Sequence, residues 1–412
     1  MPLSAAHVST LLEVARELDA TVQLEPLLER IEQAGRRILG CERVRIFVYD
    51  AKRGDLFARL ATDPKPIRFP VTDGIAGTAL REDRVIRVAD AYADPRFLPT
   101  FDERLGLRTR SLMALPMKGI RGTNVGVLQF VNKHEGLFTD VDEEVALALA
   151  GLTGVALQRQ LLMREQRQKR RLERDLALAR TIQKSFLPET VPVVPCYDLA
   201  GRSRPADETG GDAYDFIPVP SGRTAILLAD ASGHGVGPAL MAAAARAMVR
   251  VLTQAVDSLA TVIDLTNRTL YQDFKLERFV TAFVGVLDAE AHRLAYRSGG
   301  HAPILVYRAT TDTVEVLPAT GPPLGILQDL PEQNDAALAL APGDTVLLVT
   351  DGYHEWEDDD DQPFGINRLV DLLRTHHAEG ACALLDRLDA ALADFGGKQA
   401  DDLTAVVIRR VG

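Results

Sequence analysis

Ala229-Asp230-Ala231-Ser232-Gly233-His234-Gly235 decides how the second half of this chain is read. The apolar run before it predicts a strand over 223–230, and the alanine-rich run after it predicts a helix from Pro238 to Leu252. An aspartate thus ends a strand inside a glycine turn, from which its carboxylate can project beyond the sheet. Gly210-Gly211-Asp212, Thr350-Asp351-Gly352 and Asp401-Asp402-Leu403-Thr404 repeat the arrangement. Hard divalent cations such as Mg²⁺ and Mn²⁺ take oxygen ligands of this kind and keep several water positions. Glycines beside the aspartates let backbone carbonyls come close to an ion. A single Asp-Gly pair is ordinary turn chemistry, but four such segments in one region point to a metal-dependent hydrolase.

The surrounding composition agrees. A chain of 412 residues has room for two or three domains with separate cores. Residues 191–412 carry 17 Lys+Arg against 32 Asp+Glu, a net −15, while the remainder of the chain is at +4. An acidic catalytic half argues against a nucleic-acid substrate, which needs clustered basic residues, and suits carboxylates gathered to hold cations. Cys41, Cys196 and Cys382 form no C-x-x-C pair, so neither a zinc site nor a disulfide framework is expected. With no signal-peptide pattern and no uninterrupted apolar run near about 18 residues, the expectation is a cytoplasmic protein with no membrane partner.

Outward from the acidic segments, the expected class is α+β. Residues 1–20 form an amphipathic helix, and 24–39 form a second. Val44-Arg45-Ile46-Phe47-Val48-Tyr49-Asp50 reads as a strand, with others near 84–89, 111–118 and 125–132, before a long helix from Asp140. The pattern outlines a sensor-type domain over 21–158. A helical linker follows over 159–190; its apolar positions from Leu172 to Phe186 recur at coiled-coil spacing, either as a solvated connector or as a helix pairing across a homodimer. Residues 191–412 form the catalytic domain, with strands at 197–203, 213–219, 279–288, 292–298, 302–308, 345–350 and 403–410 grouped around helix pairs.

Taken in order, Gln183…Phe186-Leu187-Pro188, Gly210-Gly211-Asp212-x-Tyr214-Asp215, Asp230-Ala-Ser-Gly-His-Gly235, Ser298-Gly299-Gly300-His301-Ala302-Pro303, Gly321-Pro-Pro-Leu-Gly325, Thr350-Asp351-Gly352 and Asp401-Asp402-Leu403-Thr404 resemble a PPM-type metal-dependent serine/threonine phosphatase of the bacterial SpoIIE/RsbU-like branch. The resemblance implies an α-β-β-α sandwich with two Mn²⁺ or Mg²⁺ ions at one end. It makes Asp230 the bridging ligand, adds the carbonyl of Ala231, and places Asp351 and Asp401 on one ion, with Asp402 as the alternative. Asp212 acts directly or through water. It also implies a phosphorylated protein as substrate, an anti-sigma-factor antagonist in a partner-switching pathway. Two cations would acidify water and draw charge from phosphoryl oxygens, so no protein nucleophile is required. His234 is either a turn residue or a general acid. Arg204 is a weak candidate for gripping phosphate. The acidic run Glu355 to Asp361 reads as a solvated loop. Other readings are a phosphatase-like scaffold without activity, and a hydrolase of small phosphate esters.

Residues 21–158 resemble a GAF domain, most clearly in Asn132-Lys133…Phe138-x-x-x-Asp142. The resemblance leaves three roles open: binding a cyclic nucleotide, binding another small ligand, or contacting protein alone. Pocket candidates are Gly74, Phe97, Phe101, Asn132, Lys133 and Asp142.

Overall fold

A computed structural model describes residues 5–20, 23–60, 63–274, 278–332 and 335–412. The chain divides into two compact units, Met1–Arg171 and Leu172–Gly412.

The first unit opens with helices α1 (Ala5–Ala20) and α2 (Leu24–Leu39). Strands β1 (Cys41–Asp50), β2 (Asp55–Leu60) and β3 (Asp63–Pro70) follow, then α3 (Gly74–Glu82), β4 (Ile86–Val88), α4 (Thr100–Leu105), β5 (Leu112–Lys118), β6 (Asn124–Lys133) and the long α5 (Asp140–Lys184). Six antiparallel strands form one sheet in the order β3-β2-β1-β6-β5-β4. One face carries a core of Val44, Ile46, Leu115, Leu128 and Phe130 against Leu27 and Ile31 of α2 and Leu149 of α5. The other face buries Phe47, Val127 and Val131 against Ile75, Ala79 and Leu80 of α3. The expected strand at 44–50 runs longer, from Cys41. Strands β2 and β3 and helix α3 lie where the sequence pattern predicts no element: Arg53, Arg68 and Asp55 break the apolar periodicity, and pairing to β1 overrides it.

The second unit contains β7 (Tyr197–Arg204), β8 (Asp212–Pro218), β9 (Thr224–Ala231), α6 (Val236–Ala255), α7 (Leu259–Asp273), β10 (Val280–Asp288), β11 (Arg293–Gly299), β12 (Ile304–Arg308), β13 (Thr313–Leu317), β14 (Ala336–Ala339), β15 (Thr345–Val349), α8 (Asp351–His354), α9 (Gly365–His376), α10 (Ala381–Phe395) and β16 (Leu403–Arg410). Two five-stranded antiparallel sheets run β14-β11-β10-β9-β8 and β13-β12-β15-β16-β7. Their facing sides share a core of Phe216, Ile226, Leu228, Phe283, Ile304, Val346, Val406 and Ile408. Helices α6 and α7 cover the outside of the first sheet, and α9 and α10 the outside of the second. The result is the expected α-β-β-α sandwich. Strand β9 shows how the sequence encodes it. Ile226 and Leu228 face the opposing sheet, whereas Ala225, Leu227, Ala229 and Ala231 lie under α6, where mostly small side chains let the helix come close.

Helices α5 and α6 are long and apolar enough, by composition alone, to cross a bilayer. Each packs an apolar face on a sheet of its own unit, α6 through Met241, Ala242, Ala245 and Val249 and α5 through Val145, Leu149 and Leu157.

Phe283 is fully buried between the sheets and stacks on Tyr296 at 5.2 Å between ring centroids. Phe283→Ala is expected to lower the stability of the second unit by about 3–5 kcal/mol, read from the urea midpoint of its unfolding transition.

Candidate active site

Strand parity builds the site. Asp230 continues the inward series of β9, two residues past Leu228, so its carboxylate falls at the end of the cleft between the sheets. Asp212 opens β8 directly opposite Asp230 in the antiparallel register. On the second sheet, Val346 and Leu348 of β15 face inward, as do Val406 and Ile408 of β16. Counting by twos reaches Thr350 in one strand and Thr404 and Asp402 in the other, all three buried. Thr350 Oγ1 donates to Asp212 Oδ2 at 2.9 Å and accepts from Thr404 N at 3.0 Å. A hydroxyl from one sheet therefore holds the carboxylate of the other.

Asp401 and Asp402 separate by the same rule. Asp402 is buried, and its oxygens accept from Ala206 N at 2.8 Å and from Gly211 N. Asp401 is exposed, and it accepts from Asp402 N at 2.8 Å. Asp402 is thus engaged by backbone donors, while Asp401 is turned toward solvent at the mouth. The neighbouring glycines have a role different from the expected access of carbonyls to an ion. A Cβ on Gly352 would stand 2.1 Å from the Asp402 carbonyl oxygen, and one on Gly210 would stand 2.7 Å from Asp402 Oδ2. They make room for Asp402.

The electrostatics follow from crowding. Burial, then the charge of Asp230, pushes the carboxyl of Asp212 well above the usual carboxylate range. Burial, followed by Asp351, Asp401 and Asp402, pushes Asp230 up to about 7. Burial and then Asp401 and Glu355 push Asp351 up to about 6. Asp402 is also raised by burial, against the pull of its backbone donors. This repulsion is what bound cations would relieve, and carboxylate oxygens are hard donors of the kind that Mg²⁺ and Mn²⁺ prefer. Among the described residues no group of three or more His, Cys, Asp or Glu side chains is arranged to hold a metal ion. In donor chemistry the residues fit a divalent-cation site formed by Asp230, Asp351, Asp401 and Asp212.

The other candidates lie apart from this cluster or play structural roles. His234 is exposed, with Nδ1 3.2 Å from Asp207 Oδ2. Arg204 is exposed at the end of β7. Its neighbour Arg202 is tied to Asp386 and Asp389 of α10, at 2.7 Å each. His301 is buried and held neutral, its pKa pushed down to about 4 by burial and then by His354. The acidic run from Glu355 is a surface segment, anchored where Trp356 Nε1 donates to Gly396 O at 2.7 Å. Gln183, in the last turn of α5, makes a two-way pair with Gly210: Nε2 donates to its carbonyl, and its N–H donates to Oε1 at 3.1 Å. The sequence motif contained Gln183, but only the structure shows which backbone it holds. Thr350 and Thr404 were readable from alternation and were not singled out.

In the first unit, Gly74 and Phe97 line a cavity of about 30 Å³ together with Arg45, Phe47, Phe69 and Gln129. Arg45 fills much of it, paired with the buried Asp102 at 3.1 Å. Asp102 also accepts from Thr109 Oγ1 at 2.7 Å and Tyr92 OH at 3.2 Å. Among the described residues that space takes about one or two waters. Asn132, Lys133 and Asp142 do not line it. The amide of Asn132 joins Glu42, Arg108 O and Arg110 N, and Lys133 pairs with Asp142 at the start of α5. These residues clamp the end of β6, so their signature is architectural here. Phe101 belongs to α4, and its side chain lies outside the described residues.

Comparison with known proteins adds families to this geometry. Residues 220–411 match the family described as Stage II sporulation protein E (SpoIIE), and residues 23–157 match the GAF domain family. The chain is 27% identical over 250 residues to phosphoserine phosphatase RsbU of Bacillus subtilis (strain 168), covering 58% of this chain and 71% of that protein. It is 29% identical over 208 residues to phosphoserine phosphatase RsbP of the same organism, covering 50% and 49%. A probable 3',5'-cyclic phosphodiesterase, pde-5 of Caenorhabditis elegans, is 30% identical over 162 residues, 36% of this chain and 22% of that one. The chain thus spans about half of RsbP and about a fifth of the nematode protein. Among solved structures, the SiaA-PP2C domain of Pseudomonas aeruginosa superposes with a TM-score of 0.51 at 25% identity, covering 58% of this chain and 98% of that domain.

The raised carboxyls set a pH dependence. A group whose pKa is higher in the folded than in the unfolded state contributes stability below its unfolded value, lost as pH rises through the folded one. For Asp351 and Asp230 that window runs from about 4 to about 7, given an ordinary carboxyl value of 3.8. Buried neutral His301 acts in the opposite direction, so the difference between wild type and Asp230→Asn isolates the carboxylates. Metal-free wild type is expected to lose thermal stability relative to Asp230→Asn between pH 5 and pH 7.5. Mn²⁺ is expected to restore it in wild type alone, as read by differential scanning calorimetry.

Proposed function

We infer that this chain, in which a GAF domain precedes a SpoIIE-family domain of PPM type, is a divalent-metal-dependent phosphatase of phosphoserine or phosphothreonine in a protein substrate. The observation that carries the reading is the convergence of Asp212, Asp230, Asp351 and Asp401 at one end of the sandwich, with Thr350 and Asp402 holding them from behind. Bound there, divalent cations supply positive charge for a phosphoryl group and acidify water. The chain itself fixes the carboxylates before substrate arrives. Asp212 is held by Thr350, and the segment leading to it is held by Asp402 through Gly211 N. Such fixed geometry lowers the reorganisation that accompanies reaction.

The names of RsbU and RsbP support a phosphoserine substrate, and on that ground a phosphorylated anti-sigma-factor antagonist is the substrate we propose. We place the protein in the cytoplasm, with its three cysteines free. Regulation enters through α5. Its exposed Leu172 and Ile182, at coiled-coil spacing, suit a partner helix across a homodimer, and its last turn grips Gly210 through Gln183. A change at the GAF domain that moves this helix would move the Asp212 segment. The small cavity among the described residues supports input from a contact or a small ligand.

Asp351→Asn is expected to lower Mn²⁺-dependent phosphate release from a phosphoserine protein by about 100-fold or more, since a ligand to the reacting centre is neutralised. Release from neither protein nor p-nitrophenyl phosphate by wild type would favour a scaffold, and release from the small ester alone would favour an esterase of small phosphates. Gln183→Leu removes both hydrogen bonds to Gly210 and is expected to raise the Mn²⁺ concentration needed for half-maximal activity by about tenfold, the equivalent of about 1.4 kcal/mol. An unchanged metal dependence would detach α5 from the site.

A further inference from the structure

Beside the acid cluster the second unit carries a groove of about 700 Å³ that the proposed chemistry does not use. Tyr271 and Phe274 from the end of α7, Phe279, and Ile326 with Gln328 line it, and Arg278 is the cation among the described residues of its wall. Tyr271 and Ile326 are exposed, an unusual setting for apolar side chains grouped around one hollow.

The groove is continuous with the catalytic segment. Ser232 N donates to Phe279 O at 2.9 Å and Phe279 N donates to Ser232 Oγ at 3.1 Å, two residues past Asp230. Leu324 exchanges both backbone hydrogen bonds with Val280, at 2.8 and 2.9 Å, which brings the Gly325–Ile326 wall against the same strand. Arg278 reaches over the loop that follows Asp230: a Cβ on Gly237 would stand 3.2 Å from its Nη1, and one on Gly233 3.9 Å. That Nη1 is buried and has no hydrogen-bond partner. A desolvated guanidinium N–H without an acceptor carries a cost that an incoming oxyanion removes. The charge is also out of keeping with its setting, since residues 191–412 are at a net −15.

We propose that this groove is the docking site for the segment of the protein substrate next to its phosphoserine, with Arg278 pairing to an acidic side chain and Phe274, Phe279 and Ile326 covering an apolar one. The proposal rests on the phosphatase reading and adds the sequence preference. Apolar walls supply contact area, and the Arg278 guanidinium supplies the discrimination, because a basic residue at that point would leave two cations facing each other. Arg278 is a specificity residue here, separate from the carboxylates that would hold the ions.

The test uses the full chain, Mn²⁺ and two synthetic phosphoserine peptides that differ only beside the phosphoserine, one with Leu-Glu and one with Gly-Lys. Wild type is expected to favour the Leu-Glu peptide by at least about tenfold in kcat/KM, mainly through KM. Arg278→Gln is expected to bring the ratio close to one, Arg278→Glu to invert it, and the surface change Ile326→Ser to lower it with the charge intact. A ratio of one in wild type overturns the proposal, and so does an Arg278→Gln variant that slows both peptides equally, as a purely structural arginine would. A shift in sedimentation of Arg278→Glu with the peptide ratio unchanged assigns the groove to a second copy of the chain and overturns it too. Fluorescence anisotropy of the same labelled peptides on Asp351→Asn reads docking without turnover. If wild type releases phosphate from neither peptide, the phosphatase reading fails, and the anisotropy ratio alone decides the groove.

Discussion

The carboxylate of Asp402 pins the chain between β7 and β8 at the end of the second unit where the chemistry is proposed. It reaches from the start of β16 to backbone N–H groups at Ala206 and Gly211, on the chain between β7 and β8. Thr350 makes the parallel link from β15 to Asp212. Both contacts are buried, where an unmet polar group is costly and a met one is strong. The shared core of Leu228, Leu348 and Val406 brings the two sheets together, and these links fix Asp212 and the chain before it at its end.

The same end of the sandwich stores repulsion. Burial and like charge raise Asp212, Asp230 and Asp351 together, so the metal-free fold keeps protons there that an unfolded chain would release. Rigid packing behind the site makes that tolerable. Inward-facing Leu228, Leu348 and Val406 form a closed core directly below the acids, and Gly210 and Gly352 allow Asp402 to sit where any side chain at either position would collide. The first unit treats its buried charges differently. Asp102 is neutralised by Arg45 and by donors from Thr109 and Tyr92, which leaves a filled interior with little room for a guest.

Much of this was legible in the primary structure. Two-residue alternation located most strands of the second unit, and the order of its acidic motifs located the residues that meet at its end. Alternation was also sufficient to separate Asp402 from Asp401 and to bring in Thr350 and Thr404, had the parity of β15 and β16 been followed past their ends. Short or polar strands escaped it: β13 reads Thr-Val-Glu-Val-Leu with most positions facing solvent, and β14 has four residues, so each is a strand because a neighbour pairs with it. The Asn132…Asp142 signature was visible as well, but it carries architecture and pocket chemistry in the same letters.

By itself the sequence indicated most strands of the second unit, the resemblance of its two regions to the SpoIIE and GAF families and the acidic motifs, because periodicity and motif order are local properties of the chain. Tertiary structure alone decided which backbone groups Asp402 pins, that Gln183 holds Gly210, that the cavity of the first unit is small, and that Arg278 lines an apolar groove near Ser232. Asp402 and Gly211 are 191 positions apart. What joins them is the packing of one sheet on another, and no spacing along the chain records the free energy of that contact.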